Sequence, residues 1–378
     1  MTPQSILSIP PPTVRKSPYF INGFVDFICI GGASIIVYLT LYLLGKDGES
    51  ATAFSLSGAL VAICNWPHFS ATSYRLYSSK DTIRQYPMTA ILIPILLGFA
   101  LVGSFWYPTF IAPYFIKIFL LWSPYHYSGQ SVGVTMLYAR RAGFKVESWE
   151  RQALVVFLFS TYLVPTFLSE TGLQAAPYYG ISLPGLGLPL WLPILFRWMM
   201  YGALVTFVAS LGWRAFAKRE IPPFALWIPP AAQFIWFIPG GMSPAFNTFV
   251  PLFHSLQYLM IAWAMQLKEK LDRDGIQPSP RYVWGETIRW GGINIAGGAL
   301  LFYVFPLTAS WVTGRTFAFA TAAVISAVQV HHFFVDGVIW RLKRKSVASP
   351  LMMRLSDVMG DVGTGTRISG FIEQVPTS

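Results

Sequence analysis

The sequence predicts an all-α, polytopic transmembrane bundle of about ten spans, with both termini cytoplasmic. Three observations carry that expectation. Hydrophobic residues make up 54% of the 378 residues and charged residues only 11%, against roughly 25% charged in a soluble domain. The apolar residues fall in runs of about the 20 residues that a helix needs to cross a bilayer. None of these runs alternates apolar and polar residues, as the strands of a membrane β-barrel do. The composition excludes a soluble enzyme, a disordered chain and a coiled coil.

The runs, taken in order, are 23–44, 53–74, 87–106, 110–138, 151–168, 190–212, 223–239, 246–267, 286–309 and 316–340. Short polar stretches with Gly, Pro, Asn and Asp separate them. No internal repeat and no separate soluble domain stands out. Residues 1–341 read as one transmembrane domain, and 342–378 as a basic, then flexible, cytoplasmic tail. Within that tail Leu351, Met352, Leu355 and Met359 suit a turn or two of surface helix. The first run is too long for the h-region of a signal peptide. Cys29 and Cys64 both fall inside runs, too few and too deep for a disulfide framework.

Charge sets the orientation. Of the 27 Lys and Arg residues, twenty-two lie at the two termini or in the connections after the even-numbered runs. The connections after the odd runs hold Lys46 and Arg315. Lys117, Arg197 and Arg289 lie near the ends of runs, where long side chains can snorkel to the headgroups. An excess of Lys and Arg marks the cytoplasmic side, so the number of spans is even. The net charge of +11 is thereby explained by topology and by attraction to anionic lipid, and no nucleic-acid partner is expected. Membrane lipid is the expected surrounding, the bacterial inner membrane the expected location, and the sequence names no protein partner.

All five histidines lie inside runs: His68, His126, His254, His331 and His332. They occupy runs two, four, eight and ten, which all run from outside to inside. Counted to the first cytoplasmic cation of each, their depths are roughly 10 to 21 Å at 1.5 Å per residue. Ionisable side chains in a membrane are costly and tend to mark function. Neutral imidazole is the commonest metal ligand, and a bundle builds such a site from facing helices. The five histidines are therefore the candidate metal ligands.

Their neighbours extend the site. Gln130, Tyr258 and Asp336 each follow a histidine by four residues and share its helix face. Asp336 and Gln130 suit the role of accepting the second N–H of a metal-bound imidazole. Asp336 has two other readings, as a direct ligand or as a partner of Arg341. His331 and His332 point about 100° apart, so one of them faces the site unless it sits between them. Pro67 and Pro124 interrupt their helices beside His68 and His126. Asp26, Glu286 and Arg289 read as interfacial. Without a CxxC or thiolate set, iron–sulfur clusters are excluded and a structural zinc site is not expected, and imidazole suits iron, copper or zinc.

The order Pro67-His68, His126-Tyr127-Ser128-Gly129, Phe253-His254-Ser255-Leu256-Gln257 and His332-Phe333-Phe334-Val335-Asp336 resembles that of the bacteriorhodopsin-related-protein family of membrane β-carotene dioxygenases. The resemblance covers four patches, roughly thirty residues. The third patch has Gln257 and Tyr258 where the family pattern carries a second histidine. It implies non-haem Fe(II), held by His68, His126, His254 and one of His331 or His332, and O₂-dependent oxidation of a lipophilic, carotenoid-like substrate. Catalytic roles then fall to Asp336, Gln130 and Tyr258. Membrane di-iron desaturases need about eight histidines in HxxxH and HxxHH arrangements, which this chain lacks. Two other classes stay open: a haem- or chlorin-binding subunit of a larger complex, and a transporter with a midplane histidine site.

Overall fold

The computed structural model describes residues 17–46, 48, 50–340 and 349–360. It is a helical bundle. Ten helices match the ten apolar runs in order: α1 (Gly23–Leu43), α2 (51–77), α3 (Met88–Trp106), α4 (Ala112–Arg141), α5 (Ser148–Ser169), α6 (Trp191–Ala217), α7 (Ile228–Phe237), α8 (Val250–Asp274), α9 (Pro280–Thr313) and α10 (Phe317–Ile339). Six of them are long and apolar enough to cross a membrane: α1, α3, α5, α6, α9 and α10. The other three long helices, α2, α4 and α8, are more polar. Much of α4 and α8 is buried among neighbouring helices, so their polar side chains meet protein.

The seventh run departs from the reading of ten equal spans. It forms a ten-residue helix, α7, about 15 Å long and half the roughly 30 Å hydrocarbon core. The sequence breaks it at both ends: Pro223, Pro229 and Pro230 at its start, and Pro239-Gly240-Gly241 just past its end. A proline ring has no N–H to give, and a glycine leaves the helix cheaply. Gln233 fixes α7 in the bundle, its Nε2 lying 2.7 Å from the Leu158 carbonyl and 2.9 Å from Ser128 Oγ.

Three helices accommodate an interior proline in the same way. A π-turn spans Val61–Asn65, Met88–Leu92 and Leu300–Val304, and each ends two residues before a proline: Pro67, Pro94 and Pro306. The wide turn makes room for a ring that would clash with the carbonyl four residues back. In α1 the π-turn Ile28–Gly32 instead contains Gly31 at φ 149. A side chain there would meet the Ala232 methyl at 2.5 Å, so Gly31 lets α1 touch α7.

The bundle's one surprise outside the helices is a hairpin between α5 and α6. Gln174–Tyr178 (β1) pairs antiparallel with Ile181–Pro184 (β2). Its turn residues Tyr179 and Gly180 both have positive φ, 48 and 77, as a two-residue hairpin turn requires. Leu183 packs onto Ala112, Ile116 and Phe119 of α4. At that end Lys117 is buried and paired with Glu170, so it does not snorkel as the sequence suggested.

Part of the tail is packed rather than loose. Leu351, Met353 and Val358 are buried in the cluster formed by α4 and α8. Arg141, at the end of α4, donates to four carbonyls: Pro18, Tyr19, Leu351 and Met353. Its guanidinium also lies over the Phe20 ring at 3.8 Å. One side chain thus ties both terminal segments to the bundle. Residues 341–348 and 361–378 of the expected tail lie outside the described residues, and with them Arg341, the suggested partner of Asp336.

Candidate metal centre

Four of the five histidines meet. His68 from α2, His126 from α4, His254 from α8 and His332 from α10 each offer a ring nitrogen, and these atoms lie within 4.8 Å of one another. His68 Nε2 is 2.9 Å from His332 Nε2, which is 3.1 Å from His126 Nε2. Metal–imidazole bonds of 2.0–2.1 Å set ligand nitrogens roughly 3 Å apart. The spacing is therefore that of ligands around one small ion. Four helices supply one imidazole each, so the cluster forms only when these four pack together.

His254 carries the clearest signal. It is buried, and neither ring nitrogen has a hydrogen-bond partner among the described residues; His68 Nδ1 is likewise unpaired. A buried polar group without a partner costs about 1–3 kcal/mol, so such groups call for an explanation, an ion being one. The rest of His254 is firmly held. Its ring stacks on Tyr127, centroids 4.0 Å apart, and its carbonyl accepts from Gln130 Nε2 at 2.9 Å. Gln130 in turn lies 3.1 Å from Gln257 Oε1, and Gln257 donates to the Ile30 carbonyl at 2.7 Å.

That chain corrects the role expected of Gln130. It serves the backbone of His254 on the facing helix, not the imidazole of His126 on its own. The amide side chain bridges from α4 to α8. Tyr258 lies over His68, ring centroids 4.1 Å apart, and its hydroxyl is 2.6 Å from Thr72 Oγ1.

Asp336 is part of the site, through both histidines that flank it. Its Oδ2 is 3.5 Å from His332 Nε2 and 3.6 Å from His126 Nε2. Its Oδ1 accepts from Trp340 Nε1 at 3.2 Å and stands 3.4 Å from Thr72 Oγ1. The carboxylate therefore faces the point where the imidazoles converge. His332 Nδ1 is 3.0 Å from the same Thr72 hydroxyl. Donation from Nδ1–H to that oxygen leaves the Nε2 lone pair aimed at the centre, the tautomer a ligand requires.

His331 does not join. One residue back from His332 means about 100° around the helix, and its Nε2 lies 3.3 Å from both the Thr89 carbonyl and the Tyr77 hydroxyl. It packs between α2 and α3 as a satisfied side chain. Glu286, read as interfacial, is buried and bonded to Gln266, Lys270 and Arg289. Asp26 is buried at the start of α1, away from the four histidines.

Sequence reasoning missed Thr72, Tyr127 and Trp340. Two of them had a signal. Thr72 follows His68 by four and Trp340 follows Asp336 by four, the same spacing that singled out Gln130, Tyr258 and Asp336. Tyr127 sits beside His126 in sequence and serves His254 on another helix, which no local spacing reveals. The chain matches no protein-family model, and comparison with curated proteins and with solved structures finds no similar chain.

Proposed function

We propose that the chain is an integral membrane oxidoreductase. On this reading one metal ion, non-haem Fe(II), is held by His68, His126, His254 and His332, and an apolar substrate dissolved in the membrane is oxidised with O₂. The observation that carries the reading is the convergence of four buried imidazoles, one from each of four helices, with both nitrogens of His254 unpaired. Neutral imidazoles with one nearby carboxylate suit a divalent transition ion. Four ligands leave further positions on iron for O₂ and substrate. Bound there, the ion would supply oxygen activation. The protein's own part is to hold the imidazoles as neutral ligands, with Thr72 orienting His332 and Gln130 fixing the backbone of His254. Asp336 is placed to join the ion or to stabilise a bound water.

Four nitrogens within 4.8 Å crowd a single point, which favours a single ion over haem; a porphyrin takes axial ligands from opposite sides. The resemblance of the four patches to membrane carotenoid dioxygenases points the same way, with a polyene among the substrates to test.

The charge distribution supports a cytoplasmic position for both termini, in a bacterial inner membrane. The ten-run count is refined rather than kept. α7 and α8 are read as a pair that enters the bilayer and returns, because the start of α8 packs at mid-bundle depth, the Pro251 carbonyl on Asn65 of α2. Ser243, Ala245, Phe246 and Phe249 of the connection between them are buried, and irregular backbone is tolerated in a membrane where protein covers it. The number of full crossings stays even, so every basic connection keeps its side.

Elemental analysis of gently purified protein tests the centre, wild type beside His254→Ala. About one iron per chain, absent in the variant and without a haem spectrum, is the expected result. Metal-free wild type would remove the reading.

A further inference from the structure

Beside the histidines lies a cavity of about 330 Å³, at the small end of ligand pockets. Its axis follows α4. His126, Gly129, Gly133 and Leu137 all line it, at spacings of three and four that keep them on one helix face. From His126 to Leu137 is about 16 Å along the axis. His126, Tyr258 and Asp336 give it a polar part, and Leu137 and Leu351 line an apolar part.

The two glycines are the telling residues. Glycine is among the poorest helix formers, and in a packed bundle it usually serves close approach of another backbone. Here a Cβ added at Gly129 or Gly133 would meet nothing within 4 Å. These glycines admit no neighbouring helix. What their missing side chains leave is open space along α4 that belongs to the cavity. Its mouth lies at mid-helix, where Tyr125 is 50% exposed and Gly129 and Gly337 are also exposed. Mid-helix exposure in a membrane bundle faces acyl chains rather than water.

We infer that this cavity takes one linear hydrocarbon chain, admitted sideways from the bilayer, with the reacting part at the histidines and the chain end against Leu351. The inference deepens the oxidoreductase reading and rests on it for the placement of the reacting part. Its walls away from the histidines are apolar, Val134, Ile261 and Phe333 among them, as a hydrocarbon chain requires. Leu351 is not on a spanning helix. It belongs to the C-terminal segment, is 1% exposed, and is pinned by Arg141 through its own carbonyl at 2.6 Å and that of Met353 at 2.9 Å. The terminal segment therefore acts as a length gauge for the bound chain.

The test is binding of a fluorescent conjugated polyene fatty acid to the full chain in detergent. Saturated fatty acids of graded length compete in one arm and linear isoprenoid alcohols in the other, which separates an acyl from an isoprenoid source. Gly133→Leu, which fills the cavity, is expected to weaken the probe at least about tenfold, while Gly133→Ala binds as wild type. Leu351→Ala is expected to move the preferred competitor to a longer chain. His254→Ala is expected to lose metal and keep the probe, so the pocket and the metal centre fail separately. Equal binding by Gly133→Leu and wild type would overturn the inference. So would an unmoved length preference in Leu351→Ala, or a wild type that binds none of these chains.

Discussion

The imidazole of His254 stacks on the phenol of Tyr127 at a centroid distance of 4.0 Å and an interplanar angle of 24°. Stacking fixes the plane of a ring whose nitrogens have no partner of their own. Removing the aromatic face should free that ring to rotate. Tyr127→Leu is expected to lower metal affinity about tenfold, in the range of lost orienting contacts, whereas Tyr127→Phe keeps the stack and the affinity. A chelator-competition titration measures both.

His331 and His332 are neighbours in sequence with opposite expected phenotypes. His332→Ala removes a ligand and should abolish stoichiometric metal. His331→Ala removes only contacts to Thr89 and Tyr77 and should keep the metal, at a cost of about 1 kcal/mol in stability. Metal content and thermal unfolding, measured side by side, distinguish them. Loss of metal in both variants would mean that the chosen face of α10 is wrong.

Gly298 of α9 touches the backbone of α2 just before His68. A Cβ there would lie 2.7 Å from the Trp66 carbonyl carbon and 2.9 Å from Pro67 N, distances that backbone cannot accept without moving. Gly298→Val should destabilise by about 2 kcal/mol, as overpacking does. It should also shift His68 and weaken the metal. Gly292, six residues earlier on α9, has open space around it, so Gly292→Ala is the matched control and should leave both readouts unchanged.

Asp26 anchors the end of the bundle at which α1 begins. Its carboxylate accepts the backbone N–H of Phe20 at 2.6 Å, that of Ile21 at 3.0 Å and the Tyr138 hydroxyl at 2.6 Å. Asp26→Ala leaves three buried donors unpaired and should cost about 3 kcal/mol. Because the site is distant, metal stoichiometry in the surviving folded fraction should stay at the wild-type level. A lower melting temperature with unchanged metal per folded chain is the expected pair of results.

The turn between α7 and α8 offers a topological check. Met242 is 79% exposed, and the paired reading sets it against lipid. In a background with Cys29 and Cys64 replaced, Met242→Cys should resist a membrane-impermeant maleimide from either side. Gly180→Cys in the hairpin should label from outside, and Ile276→Cys from inside. Labelling of position 242 from the outer face alone would restore a full seventh crossing.

The bundle was legible because burying apolar surface in lipid needs long uninterrupted runs, and α1, α3, α5, α6, α9 and α10 supply them. The histidine helices were legible for the opposite reason: polar residues in such runs stand out. The length of α7 was not legible, because mean apolarity counts residues and not the prolines at 223, 229, 230 and 239 that shorten the helix. The hairpin turn at Tyr179 and Gly180 lay in a stretch too short to register as strands. Which way Gln130 reaches, and that Tyr127 serves α8, depend on helix packing that spacing along one helix does not encode.

The π-turns ahead of Pro67, Pro94 and Pro306 change how these helices should be numbered. A wide turn holds one residue more than the ordinary α-helical path, so the residues beyond it are out of phase by roughly 100° with those before. In α2 the phase slip falls at Val61–Asn65, between the lipid-proximal half and the half bearing His68 and Thr72. A helical wheel drawn through all of 51–77 therefore superimposes two faces that never coincide. It also follows that Pro67→Ala alone leaves an extra residue with no ring to accommodate. The straight helix returns only when the substitution is joined to deletion of one residue from the wide turn, and the double variant, not the single one, is the proper measure of what the proline does for His68.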